Sequence, residues 1–336
     1  MTAEPNPALD ARQRELLARF SAGETLALSR AISLVENQRP GFEALLHALH
    51  DRLGGARRIG ITGPPGAGKS TLTAGLARRF RDAGETVGVI AVDPSSPFTG
   101  GALLGDRIRM NDLATEPGIF IRSMASRGSR GGLSATTREA TDLMDAFGFG
   151  RVLLETVGVG QSELEIASQA DTTVVVLVPE SGDGIQAMKA GLMEVADLFV
   201  VNKADRPGAE RLRSEIRVVT HLRDDPAGAP GEGTWDPPIL MTIASDGEGL
   251  GELVEQLDRH HAALESSGDL GRRRRTAALE HTRMVLERTV GRRVAGAWAR
   301  EIEARSDLLT GGESPYEVAR RVADRLCPPI PDDPRP

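Results

Sequence analysis

The sequence predicts an α/β protein in which a mostly parallel β-sheet is flanked by helices, with further helices before and after this core. Short runs of β-branched residues alternate with helical stretches, an order typical of parallel strands joined by crossover helices. The six predicted strands are 59–62, 86–92, 152–155, 172–178, 198–202 and 239–243. Such sheets bind ligands at the carboxyl ends of their strands, so functional side chains are expected there.

The predicted organisation of the chain has four parts. Apolar residues at three-to-four spacing predict a helical N-terminal extension over 1–55 and a C-terminal helical arm over 266–327. The sheet domain takes 56–265, and the proline-rich tail at 328–336 is expected to be disordered. An apolar stripe along the arm could pack on its own domain or across a dimer, and we interpret the arm as a dimerisation element.

Composition excludes several classes of protein. The chain has 336 residues, a net charge of −7 and a pI near 5.5. This acidic balance argues against a general nucleic-acid binder, which needs a surplus of Lys and Arg. No apolar run approaches the length of a membrane span, and residues 1–10 lack the apolar region of a signal peptide. A cytoplasmic location without membrane attachment is therefore expected.

Cysteine, histidine and arginine usage gives three minor expectations. The single Cys327 excludes an intramolecular disulfide, and no Cys/His cluster is available for a soft metal. The neighbouring His260 and His261 lie on a predicted surface helix. The four arginines at 272–275 are interpreted as a solvated turn or helix start.

A phosphate-binding loop is predicted at residues 63–70, whose sequence GPPGAGKS matches GxxxxGK(S/T) between a strand and a helix. Glycines let the backbone N–H groups wrap around phosphates, and the helix N-terminus adds partial positive charge. Lys69 supplies charge to the β- and γ-phosphates, and the Ser70 hydroxyl is a ligand for Mg²⁺. The predicted phosphate-site residues are Gly63, Gly66, Ala67, Gly68, Lys69, Ser70 and Thr71.

Guanine rather than adenine is predicted as the base. The strand at 198–201 leads into Asn202, Lys203, Ala204 and Asp205, an NKxD sequence. A carboxylate at Asp205 accepts from guanine N1–H and the exocyclic amine, whereas adenine has no donor at N1 and would leave it unpaired. Ala244, after the last strand, occupies the place where a backbone N–H meets guanine O6.

The metal and water site is predicted at two other strand ends. Asp93 follows the second strand, and the sequence ETVG places Glu155 and Gly158 where DxxG is usual, with an acid facing the metal and a glycine N–H facing the γ-phosphate. Asp106 is a further candidate, since Mg²⁺ takes a few oxygen ligands besides water. The predicted metal ligands are Ser70, Asp93, Asp106 and Glu155.

Slow intrinsic hydrolysis is expected, because Val159 stands where a water-orienting glutamine often follows the glycine, and Gln161 comes two positions later. Lys189 could deliver positive charge to the transition state if its loop closes. A solvated lysine on a helix is the equal alternative. The predicted catalytic residues are Lys69, Asp93, Glu155, Gly158 and Lys189.

With these motifs in place, the sequence closely resembles the MeaB-like (ArgK-type) P-loop GTPases, which are associated with methylmalonyl-CoA mutase. Besides the motifs above, the resemblance is carried by VIAVDPSSPFTGG at 89–101, LGDRIRM at 104–110, RGSRGGLSATT at 127–137 and, most specifically, LLETVGVGQSE at 153–163. It extends from residue 59 to about residue 264, and the terminal helical segments are also features of the family. One departure is Thr242-Ile-Ala-Ser in place of a typical SAL.

The resemblance implies a GTPase that chaperones an adenosylcobalamin-dependent acyl-CoA mutase and gates cofactor loading by nucleotide state. It also implies a homodimer joined through the C-terminal arm. Asp93, Asp106 and Glu155 would serve Mg²⁺, and 181–189 would be a mobile loop whose Lys189 contributes when the mutase docks.

Three alternative functions differ from this hypothesis. A nickel-delivery GTPase would need a His-rich tract or paired Cys/His ligands, and the sequence has neither. A small-molecule kinase, as the older family label suggests, is not supported by a recognisable amino-acid pocket. A nucleotide-gated scaffold without a catalytic role is the third alternative. Docking of a partner would accelerate GTP turnover by a chaperone but not by a scaffold.

Overall fold

A seven-stranded parallel sheet is the centre of the computed structural model, which describes residues 9–93, 113, 115–125, 135–156, 165–179, 191–221, 235–304 and 314–326. The strand order is β3-β2-β4-β1-β5-β6-β7, and every adjacent pair is parallel. The strands are β1 Arg57–Thr62, β2 Val87–Asp93, β3 Ile119–Ala125, β4 Arg151–Thr156, β5 Thr172–Leu177, β6 Leu198–Asn202 and β7 Ile239–Thr242.

Helices cover both faces of this sheet, and two more helices follow in sequence. The described α-helices are α1 Ala11–Ser21, α2 Thr25–Glu36, α3 Phe42–Leu49, α4 Lys69–Asp82, α5 Ala135–Phe147, α6 Leu192–Val195, α7 Ala209–His221, α8 Leu250–Ser267, α9 Asp269–Ala304 and α10 Pro315–Leu326. Short 3₁₀ turns lie at His50–Arg52 and Ile166–Ser168. No helix in these described ranges is both long and apolar enough to cross a bilayer.

Each face of the sheet has its own hydrophobic core. On one face, Leu72 and Leu76 of α4 and Leu253 of α8 pack with Ile61 and Leu153 of the central strands. On the other face, the N-terminal helices and α5 pack on residues of strands β2 and β4, among them Val152 and Leu154, and a separate cluster joins α6 and α7 to β5 and β6. Burial on both faces explains why the strands read as continuous apolar runs.

The structure contains the six predicted strands and a seventh, Ile119–Ala125, that the sequence reading missed. This strand lies at the edge of the sheet beside β2. Its middle residues are only partly buried, and Arg122 points to an ion pair with Glu36 of α2. A half-exposed edge strand has a weaker apolar pattern than a central one, which is why it was not recognised.

Charged residues at the amino ends of the strands pair with the surrounding helices. Arg58 of β1 bonds the carboxylates of Asp142 and Asp145 in α5, and the side chain of Arg58 is 7% exposed. Arg151, which opens β4, pairs with Glu85 and with Asp258 of α8. These bonds fix the end of the sheet that lies opposite the predicted nucleotide site.

The arginines at 272–275 stand at a helix start, as interpreted, but two of them are also paired with buried carboxylates while their side chains stay 41% (Arg273) and 29% (Arg274) exposed. In the first turns of α9, Arg273 bonds both oxygens of Asp197 at 2.8 Å and Arg274 bonds both oxygens of Asp171. The aspartates stand directly before β6 and β5 and are buried. A run of arginines before a helix does not reveal such partners, which come from distant strands.

The surface helix predicted for the histidine pair is present as α8, with Glu252, Glu255 and Arg259 exposed, but both histidines lie on its buried side. His260 is fully buried in α8 and His261 is 5% exposed. The Nδ1 atom of His260 lies 2.8 Å from the Thr172 hydroxyl, and its ring lies 4.7 Å from that of Trp235. Adjacent residues of a helix point in different directions, so the polar pattern of α8 did not predict that both histidines are buried.

The chain divides into two compact units, 1–277 and 278–336. In the described part of the second unit, Glu301 is 3% exposed and accepts bonds from Arg321 and Arg325 of α10. Apolar side chains remain exposed on α9 within this unit, namely Leu279, Leu286, Val290, Val294, Trp298 and Ile302. The predicted domain boundaries at 55, 265 and 327 stay predictions, and the tail at 328–336 lies outside the described residues.

Candidate functional site

The glycine-rich loop lies between β1 and α4, in the arrangement that the motif predicts. Three of its glycines have positive φ angles, and two of them leave no room for a side chain. A Cβ on Gly63 would lie 2.1 Å from the Val176 carbonyl oxygen, and one on Gly68 would lie 2.4 Å from the Asn202 Nδ2 atom. The loop therefore needs glycine both for its own conformation and for its close contacts with β5 and β6.

Lys69 is the first residue of α4, and its ammonium group turns back into the loop. The residue is 6% exposed, and Nζ donates to the carbonyl oxygens of Gly63 at 2.7 Å and Pro64 at 3.0 Å. A buried ammonium group needs compensating oxygens, and an incoming phosphate offers stronger ones than carbonyls. The structure thus places a cation where β- and γ-phosphates are expected.

Ser70 and Glu155 meet at the start of α4 and the end of β4. The hydroxyl of Ser70 donates to Glu155 Oε1 over 2.6 Å, and Glu155 is 3% exposed. A hydroxyl that gives its proton to a carboxylate still presents its oxygen to a cation, and a hard cation prefers such oxygen ligands. The Ser70 hydroxyl oxygen and the Glu155 carboxylate therefore fit as ligands of a magnesium ion at the position that the sequence predicts.

Asn202 connects the phosphate loop with the loop after β7. Its Nδ2 donates to the carbonyl oxygen of Ala67 at 2.8 Å, and its Oδ1 accepts from the Thr242 hydroxyl and the Ala244 backbone N–H, both at 3.1 Å. Asn202 is 2% exposed, so its amide is held from both sides. Ala244 in this conformation therefore gives its N–H to Asn202, beside the place predicted for guanine O6.

Lys203 and Asp205 follow at the rim of the same site. Nζ of Lys203 donates to the carbonyl oxygen of Gly66 at 2.9 Å, and Lys203 takes a positive φ of 56°. Asp205 is exposed, as is Thr71 on the first turn of α4. The loop, the end of β6 and the end of β7 thus converge at the carboxyl edge of the sheet, which is where parallel sheets bind nucleotides.

Comparison with known proteins agrees with this geometry. The sequence matches the family described as "Methylmalonyl Co-A mutase-associated GTPase MeaB" over residues 28–299. The chain belongs to the MeaB family. A Pyrococcus horikoshii relative named as a GTPase is 45% identical over 312 residues, covering 93% of this chain and 98% of the relative.

Two further similar proteins extend the comparison. The mouse protein named methylmalonic aciduria type A homolog, mitochondrial, is 34% identical over 272 residues, or 76% of this chain and 64% of that protein. The crystal structure titled "LAO/AO transport system kinase" has a TM-score of 0.68 and 30% identity, covering 95% of this chain and 99% of that one. Membership of the MeaB family makes this protein a P-loop GTPase that binds guanine nucleotides and hydrolyses GTP.

Several predicted site residues of this MeaB-family protein fall outside the described part of the chain. They are Asp106, Gly158 and Lys189. Asp93 ends β2, and its backbone is described while its side chain is not. The described residues therefore bring together the predicted phosphate and guanine motifs, Ser70 and Glu155.

Three residues of the site were missed by the sequence reading. Thr62 precedes the phosphate loop, Thr156 follows Glu155, and Thr242 bonds Asn202; each is at most 1% exposed. Thr156 and Thr242 stand inside segments quoted above, but no role was assigned to either, and the signal for a role was only that each threonine ends an apolar strand. Threonine is common in strands for its branched shape alone, so this signal was too weak to single them out.

Proposed function

We propose that this MeaB-family GTPase is a chaperone of an adenosylcobalamin-dependent acyl-CoA mutase such as methylmalonyl-CoA mutase. In this proposal the nucleotide state gates the loading of adenosylcobalamin and protects or reactivates the mutase. The observation that carries it is the match to a family described as methylmalonyl-CoA mutase-associated over residues 28–299. The name of the mouse relative supports the same link to methylmalonate metabolism.

The proposed binding of GTP uses the donors assembled at the loop. Lys69 would exchange the carbonyl oxygens of Gly63 and Pro64 for phosphate oxygens. The loop N–H groups and the first turn of α4 would receive the remaining phosphate charge. Asp205 would accept from the guanine base, since it is exposed at the rim of the site.

A magnesium ion is proposed as the resident cation. When bound, it would neutralise charge that develops on the β- and γ-phosphate oxygens. Ser70 and Glu155 would hold it, with Asp93 and Asp106 as further proposed ligands. The 2.6 Å bond between Ser70 and Glu155 supports this assignment because it keeps an oxygen ligand and a carboxylate together in a buried site.

Hydrolysis requires a water molecule in line with the γ-phosphorus, so that the new P–O bond forms as the bond to GDP breaks. Val159 cannot orient that water by hydrogen bonding, because its side chain is apolar. We therefore propose slow turnover by the isolated protein and acceleration on docking of the mutase. Lys189 is proposed to supply positive charge in the docked state.

The proposed assembly is a homodimer in the cytoplasm, without membrane or nucleic-acid partners. The C-terminal arm, with the exposed apolar residues of α9, is proposed as the dimer interface. Apolar side chains such as Leu286 and Trp298, 61% and 44% exposed, gain stability when another surface covers them.

The deciding experiment measures GTP turnover by the full-length protein alone and with candidate mutases, each with and without adenosylcobalamin. The chaperone proposal expects the mutase to raise kcat and expects nucleotide state to change cofactor loading. Lys69→Ala is the control, because it should lose both effects. Association without a change in turnover favours a nucleotide-gated scaffold, and stimulation by a nickel-enzyme precursor instead favours the nickel alternative. Either result would overturn the mutase proposal.

A further inference from the structure

Two buried threonine hydroxyls bridge the central strands at the edge where nucleotide binds. The Oγ1 atom of Thr156 donates to Oγ1 of Thr62 over 3.1 Å. Thr62 is fully buried and Thr156 is 1% exposed. Each is the last residue of its strand, β1 or β4, and no role follows for either from the phosphate or guanine motifs.

The pair lies on the opposite face of the sheet from the Ser70–Glu155 bond. Side chains alternate along a strand, so Thr156 faces the same side as Leu154, in the core under the N-terminal helices. Thr62 shares the face of Gly60, where a Cβ would approach Ile166 of the same core. Glu155 points to the α4 face, where it reaches Ser70.

The bond extends the contact between β1 and β4 by one residue. The backbone register of these strands runs as far as Ile61 opposite Glu155. The chain then enters the phosphate loop on one side, at Gly63 with a φ of 138°, and leaves β4 on the other. The hydroxyl pair joins the last residue before the loop to the residue directly after Glu155, at the last residues of both strands.

We propose that Thr62 and Thr156 are positioning residues that hold Glu155 in register with Ser70 and so prepare the site for a divalent cation with the nucleotide. The inference rests on the proposed magnesium site. The hydrogen bond between Thr62 and Thr156 on one face of the sheet limits how far the end of β4 can shift from the start of the loop. The same shift would pull the Glu155 carboxylate away from the Ser70 hydroxyl on the other face.

The test uses Thr156→Val, which removes the donor, Thr62→Val, which removes the acceptor, and the double variant. Valine keeps the branched shape, so packing changes little. GDP affinity is measured in EDTA by calorimetry, and release of a fluorescent GDP analogue is followed across a Mg²⁺ titration. We expect affinity in EDTA within about twofold of the parent, and a Mg²⁺ midpoint raised by roughly three- to tenfold, the change expected for loss of one net hydrogen bond.

Two controls separate positioning from general stability. Thr156→Ser keeps the hydroxyl and should restore the parent midpoint. Thr141→Val removes another buried hydroxyl, one that bonds the Thr137 carbonyl within α5, and should leave the midpoint unchanged. The double variant should resemble each single variant, because either substitution breaks the same bond. Should one valine variant fail to fold, the other tests the bond by itself.

The outcomes distinguish this inference from the site on which it rests. A parent protein that responds to Mg²⁺, with both valine variants responding equally, overturns the positioning role and leaves the magnesium site standing. A parent whose GDP release ignores Mg²⁺ overturns both. Additive effects in the double variant also contradict the inference, since two independent roles would then be required.

Discussion

The guanidinium of Arg274 in α9 forms a two-point ion pair with the carboxylate of Asp171, the residue before β5. Nε lies 2.9 Å from Oδ1 and Nη2 lies 2.8 Å from Oδ2. The same guanidinium donates to the carbonyl oxygens of Gly54 and Ala56. One side chain therefore ties the first turns of α9 to a strand and to the segment that precedes β1.

Replacing Arg274 by alanine should destabilise the protein substantially. The change leaves a buried carboxylate with fewer partners and frees two carbonyl groups, so we expect a loss of about 2–3 kcal/mol, below the value for a fully buried pair because Arg274 is partly exposed. Denaturant unfolding followed by circular dichroism measures it. Arg211→Ala, which removes an exposed i,i+4 pair with Glu215, is the control and should change stability by less than about 0.5 kcal/mol. Equal losses would contradict the prediction.

Acid should weaken the fold through Asp171 and Asp197. Burial raises the pKa of each carboxyl, but partners outweigh it: Arg274 lowers the pKa of Asp171, and His260 and Arg273 lower that of Asp197, so both lie below the ordinary 3.8. Their contribution is therefore fully present above pH 3.8 and is lost as pH falls through the lowered values.

The measurement is the urea midpoint across this acid range, for the parent and for Arg273→Ala/Arg274→Ala. Without the arginines, burial governs the pKa of each carboxyl more strongly, so the double variant should start less stable and lose less on acidification. Parallel losses in the two proteins would assign acid sensitivity to other groups.

Lys69→Ala should abolish nucleotide binding. The substitution removes a buried ammonium group at the phosphate position, and neutral loop N–H groups alone cannot balance the phosphate charge. Titration calorimetry with GDP measures the effect. Arg78→Ala, an exposed residue of the same helix, should bind like the parent. Retained GDP affinity in Lys69→Ala would remove the assigned role.

Asp205→Asn should weaken GTP binding more than ATP binding. The carboxylate is proposed to accept from two guanine donors, whereas an amide turns one acceptor into a donor. Competition binding gives the ratio of the two affinities, and Glu210→Gln, at an exposed position of α7, controls for the loss of one negative charge. An unchanged ratio in Asp205→Asn would contradict the guanine assignment.

Local motifs made the phosphate and guanine segments predictable, because each combines a fixed spacing with a strand or helix that periodicity also indicates. Lys69 and Asn202 could be placed at strand and helix ends on this basis. Their bonds to Gly63 and Ala67 could not, since those depend on loop conformation. The β3 strand was missed because an edge position weakens the apolar pattern.

Contacts between distant segments account for the remaining differences. Arg274 and Asp171 are far apart in sequence, and a charged residue shows nothing locally of a partner that tertiary structure brings to it. Thr62 and Thr156 are similar, because each looks like an ordinary strand residue until the parallel register sets them side by side. Periodicity thus predicts elements, while polar pairing across the sheet requires the fold.

The amide of Asn202 serves the phosphate loop and the loop after β7 at once. A substitution of Asn202 that is meant to change the purine specificity would therefore also disturb the phosphate loop and weaken phosphate binding. Asp205 is exposed at the rim, and none of the bonds described above connects its side chain to both loops. Asp205 is therefore the position at which the base specificity can be changed, so that the variant binds an unnatural nucleotide that other GTPases do not bind.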